Sequence, residues 1–141
     1  MTENEKRWLV TGIAFQKILF PQIRLHVEQR MRQTFGPERY VELSKRRAGS
    51  RYENVRSFDE FDIPAILKLL SDHLHCLGAQ DFRDARSTWV DTDSNKWDKA
   101  ELETSFRAMR NLVIGMHLPN KDEQKLLESL EYFEEKGILR D

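Results

Sequence analysis

The sequence predicts an all-α protein, a bundle of five or six helices with residues 1–141 forming a single domain. Three observations predict it. No window alternates apolar and polar residues over a useful length, as a half-buried strand would. Apolar residues recur three and four apart instead, which is the spacing of one helical face. Capping residues, glycines and prolines then punctuate the chain at roughly helix-length intervals.

The elements follow in order. Thr2-Glu3-Asn4-Glu5 is a capping box, in which the hydroxyl and the carboxylate each satisfy a backbone amide left free at a helix start. The helix it opens carries Trp8, Leu9, Ile13, Phe15, Ile18, Leu19, Ile23, Val27 and Met31 on more than one stripe, as expected of a helix with neighbours on several sides. Pro21 lies inside it and should kink or split it, since proline has no amide donor and clashes with the preceding turn. Gly36-Pro37 ends the helix, and "PERYVELSKRR" reads as a shorter one with proline in its first turn. Residues Ala48 to Phe61 show no period and read as a long loop.

Asp62 and Pro64 start the next helix, "IPAILKLLSDHLHCL", which the sequence runs to Gly78 as its terminating residue. A short helix from Asp81 to about Trp89 precedes a polar loop. From about Asp98, Leu102, Phe106, Met109, Val113 and Met116 fall on one narrow face. Trp89 and Trp97 are expected to pack on that stripe, because large aromatics bury the most apolar area. Pro119 stops this helix, Asn120-Lys121-Asp122-Glu123 reads as a second capping box, and Leu126, Leu127, Leu130 and Phe133 carry the last helix to Gly137.

Composition narrows the function classes. Lys+Arg 23 against Asp+Glu 24 gives a formal charge of −1, too balanced for a global field that would gather nucleic acid or an anionic membrane. Cys76 is the single cysteine, so an internal disulfide and a multi-cysteine zinc site are excluded. No apolar run spans a bilayer and none reads as a secretory core, so a soluble, cytoplasmic protein without membrane contact is expected. No phosphate-binding glycine loop, His-x-x-x-His pair or nucleophile elbow occurs, and neither a cofactor nor a metal is expected. His73 and His75 are two apart on a helix and would diverge. Cys76 is expected on the apolar side of the same helix.

One local cluster stands out from this balance. Lys45, Arg46 and Arg47, followed by Arg51 and Arg56, flank Tyr52 and Phe58, and arginines beside stackable rings suit single-stranded RNA. Basic residues closing a helix also answer its dipole without any ligand, and Glu53, Asp59 and Glu60 offset much of the charge.

The segment from Arg86 onward carries a resemblance. "RSTWVD" at Arg86 to Asp91, then Trp97, then "FRAMRNLVIGMHLPNKDEQKLLESLEYFEEKG", together with the opening "WLVTGIAFQKILFPQIR", resembles the animal type of HEPN domain (higher eukaryotes and prokaryotes nucleotide-binding). That family reads Arg-Asn-x-Trp-Ala-His, a short polar loop, Trp, an amphipathic helix, a proline break and a final helix. The resemblance implies a HEPN-like bundle. It also implies metal-independent RNA cleavage by an Arg-x4–6-His motif, usually with two motifs facing across a dimer. In this chain Arg86 keeps the cation position, Ser87 stands for Asn and Asp91 for His, so the motif is degenerate. A carboxylate there would repel a phosphate and neutralise the arginine.

A second match to the spacing is Arg110-Asn111 through His117, nearly two turns apart on one face if the helix is continuous. The expected function is therefore a non-catalytic HEPN-like interaction or self-association module of a signalling or immunity-type protein, forming a homodimer or binding another protein. The alternative is a metal-independent endoribonuclease acting on single-stranded RNA through Arg110 and His117.

Overall fold

The computed structural model describes residues 1–137, and every regular element among them is helical. The α-helical segments are α1 (Glu3–Ile13), α2 (Phe20–Phe35), α3 (Tyr40–Ala48), α4 (Ile63–Lys68), α5 (Ala79–Asp91), α6 (Lys99–Gly115) and α7 (Asn120–Lys136). A π turn at Ala14–Leu19 connects α1 to α2, and another at Leu69–His73 extends α4, so the described residues form six helices. No helix among the described residues is long and apolar enough to cross a membrane.

The chain divides into two compact units, residues 1–20 with those from 77 onward, and residues 21–76. In the first unit the core comprises Phe15 and Leu19, Phe82 and the two tryptophans, Phe106, Met109, Leu112, Val113 and Met116 of the α6 stripe and its cap, and Leu130 and Phe133 of α7. In the second it comprises Ile23, Val27 and Met31 of α2 with Tyr40, Phe58, Phe61, Ile66 and Leu70.

Proline leaves its mark where the sequence placed it, as a π turn rather than a break. In a regular helix the Pro21 ring would strike the carbonyl of residue 17; the wider turn just before it, closed by the Phe20 amide donating to the Phe15 carbonyl, takes up the misfit. Thr2 and Glu5 form the expected capping box, with bonds of 2.9 and 3.1 Å.

Two helix ends differ from expectation. The helix from Ile63 ends at His73, not at Gly78: the π turn is closed by the Leu74 amide on the Leu69 carbonyl, and His75 turns left-handed at φ 51°. Gly78, also left-handed at φ 83°, instead precedes α5. At α7 the Asn120 capping box does not form, because Asn120 already lies inside the helix and Pro119 occupies the cap without a side-chain bond.

The stretch between Ala48 and Phe61 is irregular but fastened. Arg24 donates to the carbonyls of Phe58 (3.2 Å) and Phe61 (2.7 Å), Tyr52 donates to Asp62 (2.8 Å), and Ser57 with Glu60 forms a capping box around a short 3-10 turn, Phe58–Glu60. The Arg56 and Ser57 amides hold the Glu60 carboxyl below its ordinary range.

Candidate functional site

The Arg86–Trp97 segment is built onto α1. Trp89 stacks on Trp8 with ring centroids 4.6 Å apart, and each indole N–H donates to the other's backbone carbonyl, at 3.2 Å from Trp8 and 2.9 Å from Trp89. Phe15 meets Trp89 edge-on at 5.9 Å. Gly12 makes this approach possible: a Cβ there would overlap the Trp89 ring, with the Cη2 atom at 2.9 Å. Trp97 is fully buried and donates through its indole to the Thr11 hydroxyl at 2.9 Å, which itself donates to the Arg7 carbonyl at 2.8 Å. The polar loop is pinned by the Asn4 amide on the Asn95 carbonyl at 2.7 Å. Both tryptophans are buried as expected, but their hydrogen bonds run to α1 and the ring contacts of Trp89 to Trp8 of α1 and Phe15 of the π turn. The Thr11-Gly12 pair inside an otherwise apolar run was the sequence signal for this.

Arg86 is half-buried and Asp91 is exposed at the end of α5. Five helical steps turn a side chain by about 140°, so the two residues occupy different faces. No buried role ties Asp91 to the fold. Asp91→His should therefore shift stability by no more than about 0.5 kcal/mol, as thermal melts would register.

Arg110 and His117 do not share a helical face. Helix α6 ends at Gly115, and His117 follows in a left-handed conformation, φ 52°, exposed to solvent. Arg110 turns to α7 and forms a part-buried ion pair with Glu134 at 2.6 Å. His117 instead borders a shallow depression of about 320 Å³ with Leu77, Gly78, Asp81, Asn111 and Ile114, and Arg110 is not among its walls.

The basic cluster is partly neutralised. Lys45 pairs with Glu42 at 3.0 Å, Arg51 pairs with Asp62 at 3.7 Å and lies over the Tyr52 ring, and Arg46 and Arg47 are exposed. Tyr52 is edge-on to Phe61, and burial together with its bond to Asp62 raises its phenol pKa. Phe58 is buried. Phe58 therefore offers no open face on which a base would stack, and Tyr52 is half-buried.

His73 stacks on Phe35 at 5.4 Å, and burial, aided by Arg47 and His75, holds its imidazole below the ordinary value. Burial pushes the Cys76 thiol up to about 11, which leaves very little thiolate at neutral pH. Among the described residues no three histidine, cysteine or carboxylate side chains are disposed to hold a metal.

A groove of about 320 Å³ runs between α5 and α6, and reading the sequence for apolar faces passed over it. Helix α5 supplies Asp81, Asp84, Ala85 and Thr88, which recur three and four apart. Helix α6 answers with Glu101, Ser105 and Ala108 in the same rhythm. Such a stripe of small and acidic residues was visible in both segments. Near the Gly78 and Gly115 end the two strands of backbone are in close contact: a Cβ on Gly78 would lie 3.1 Å from the Asn111 carbonyl. The buried Trp97 also lines the groove.

The chain matches no protein-family model, no curated protein and no solved structure.

Proposed function

We propose that this chain is a non-catalytic, HEPN-like interaction module that self-associates through the unit containing α5, α6 and α7. One observation carries the reading: Arg110 is bound by Glu134 while His117 lies beyond the end of α6, so the one arginine–histidine pair with nuclease spacing is not assembled as a proton carrier beside an available cation. At the degenerate position an exposed Asp91 stands where the family's histidine would be. Further support comes from the order of elements, which follows the family pattern: an opening helix with Pro21, the Arg86–Trp89 segment, Trp97, an amphipathic helix, a proline and a final helix. Leu77 and Ile114, 72% and 51% exposed, border the same depression and offer apolar surface to a second copy.

Sedimentation equilibrium tests this. The wild-type protein should dimerise in a concentration-dependent manner, and Ile114→Glu should weaken the dimer by about tenfold or more, since it buries a charge at an apolar contact. A fluorescent single-stranded RNA should remain intact with and without divalent metal. A monomer at every concentration would sink the self-association reading. Cleavage leaving a 2′,3′-cyclic phosphate and abolished by Arg110→Ala or His117→Ala would replace it with the endoribonuclease.

A further inference from the structure

Ser50 is set apart from the other hydroxyls by what precedes it and by what surrounds it. It is the one serine or threonine in the sequence with an arginine three residues before it, Arg47, and Arg46 and Lys45 extend that basic run. Arg46, Arg47 and Ser50 are all exposed. Thr11, Thr34, Ser71, Thr88 and Ser129 donate their hydroxyls to carbonyls of their own helices, whereas Ser50 lies beyond the end of α3. There Gly49, at φ 121°, turns the chain out of the helix, and Ser50 opens a three-residue 3-10 turn.

The ground around this hydroxyl is cationic. Ser50 shares a depression of about 300 Å³ with Lys45 and Arg46 of α3, opposed by Glu42 and Glu53. The Lys45 side chain is only 14% exposed, and its ammonium meets Glu42 at 3.0 Å. Lys68 adds a cation beside the turn, donating to the Ala48 carbonyl at 3.2 Å. A phosphate dianion competes well against a single carboxylate for such groups, since it carries more charge and three acceptor oxygens.

We propose that Ser50 is a phosphorylation site for an arginine-directed serine kinase, and that the phosphate, once attached, takes Lys45 from Glu42 and pairs with Arg46. In the transfer Ser50 Oγ bonds to the terminal phosphorus of a nucleoside triphosphate and the bond from that phosphorus to the bridging oxygen breaks. The nucleoside diphosphate leaves, and the hydroxyl proton passes to the carboxylate base of the kinase. The exposed Arg47 is the residue an acidic kinase cleft would read. To enter that cleft as extended chain, the last turn of α3 must open, where the Gly49 amide donates to the Lys45 carbonyl at 3.0 Å; terminal turns open at low cost. Lys45, Arg46, Arg47 and Arg51 stand against Glu42 and Glu53, so a dianion here cancels the local basic excess.

The test incubates the full chain with a calcium/calmodulin-dependent serine kinase, Mg²⁺ and ATP, maps the phosphate by tandem mass spectrometry and follows its protonation by phosphorus NMR. Ser50 should be the residue modified, and Arg47→Gln should slow its modification by about tenfold or more. In the folded phosphoprotein the phosphate's second titration, ordinarily near pH 6, should have its midpoint about 0.5 pH lower than in the same protein unfolded in urea, because nearby cations favour the dianion. The double variant Lys45→Gln, Arg46→Gln keeps Arg47 for the kinase and should remove most of that difference. Phosphate found only at other residues or at none, modification indifferent to Arg47→Gln, equal midpoints in the folded and unfolded chains, or a difference that survives the double variant would each overturn the proposal.

Discussion

Trp97→Ala should lower the stability of the protein by about 4 kcal/mol, the cost of removing a large fully buried aromatic whose surroundings relax only in part. The residue does two things at once. Its buried ring lines the α5–α6 groove, and its indole N–H donates to the Thr11 hydroxyl, joining the loop after α5 to the first helix. Truncation leaves a cavity and removes the tie. In urea unfolding followed by far-UV circular dichroism the midpoint should fall with little change in slope, and the melting temperature should drop by about 15 °C. Thr11→Val separates the two contributions: it keeps the volume but leaves the indole donor unpaired, and should cost about 2 kcal/mol. If Trp97→Ala melts within about 1 kcal/mol of wild type, the ring is not part of the packed core.

Gly115→Ala should destabilise by about 3 kcal/mol, although alanine is the better helix former by about 1 kcal/mol. A Cβ at this position would overlap the Leu77 carbonyl oxygen and lie 2.8 Å from its carbon. Both are backbone atoms and cannot rotate away, so the chain entering α5 must move. Gly36→Ala provides the contrast. Gly36 has φ 87° with nothing near its Cβ, so its substitution reports conformational strain without overlap and should cost about 1 kcal/mol. Amide exchange would add a local signature, with protection lost around Leu77 to Ala79 in Gly115→Ala and retained there in Gly36→Ala.

The all-α class was readable because it rests on short-range chemistry: capping boxes, proline and the 3.6-residue period act within one helix. The Thr2 box, the Asp62 and Asp98 caps and the α6 stripe therefore appear where the residues place them. Features decided by contacts between distant segments were not readable. Nothing local to Trp89 indicates that it will stack on Trp8, 81 residues earlier, and Gly12 gives only the hint that something bulky lies against the helix. Helix ends went wrong where tertiary demands outweighed local signals: His75 and His117 adopt left-handed conformations that non-glycine residues seldom take, and each ends a helical pattern that periodicity alone would prolong. The same left-handed turn separates His117 from the Arg110 face. In the α5–α6 groove the relevant signal was polar and small, whereas periodicity is ordinarily searched for in apolar residues.

The π turn at Ala14–Leu19 gives the first helix two phases. It fits one more residue into a turn than an α-helix would hold, so the buried positions before and after it, Thr11 and Gly12 on one side and Ile23, Val27 and Met31 on the other, are counted from different origins. Deleting any one residue between 14 and 19 would restore uniform α-helical counting and rotate everything downstream by about 100°. The Pro21 ring would then again meet a carbonyl. Within this stretch the number of residues is a stricter requirement than their identity: the segment works as a spacer one residue long, and many substitutions there would be milder than the smallest deletion.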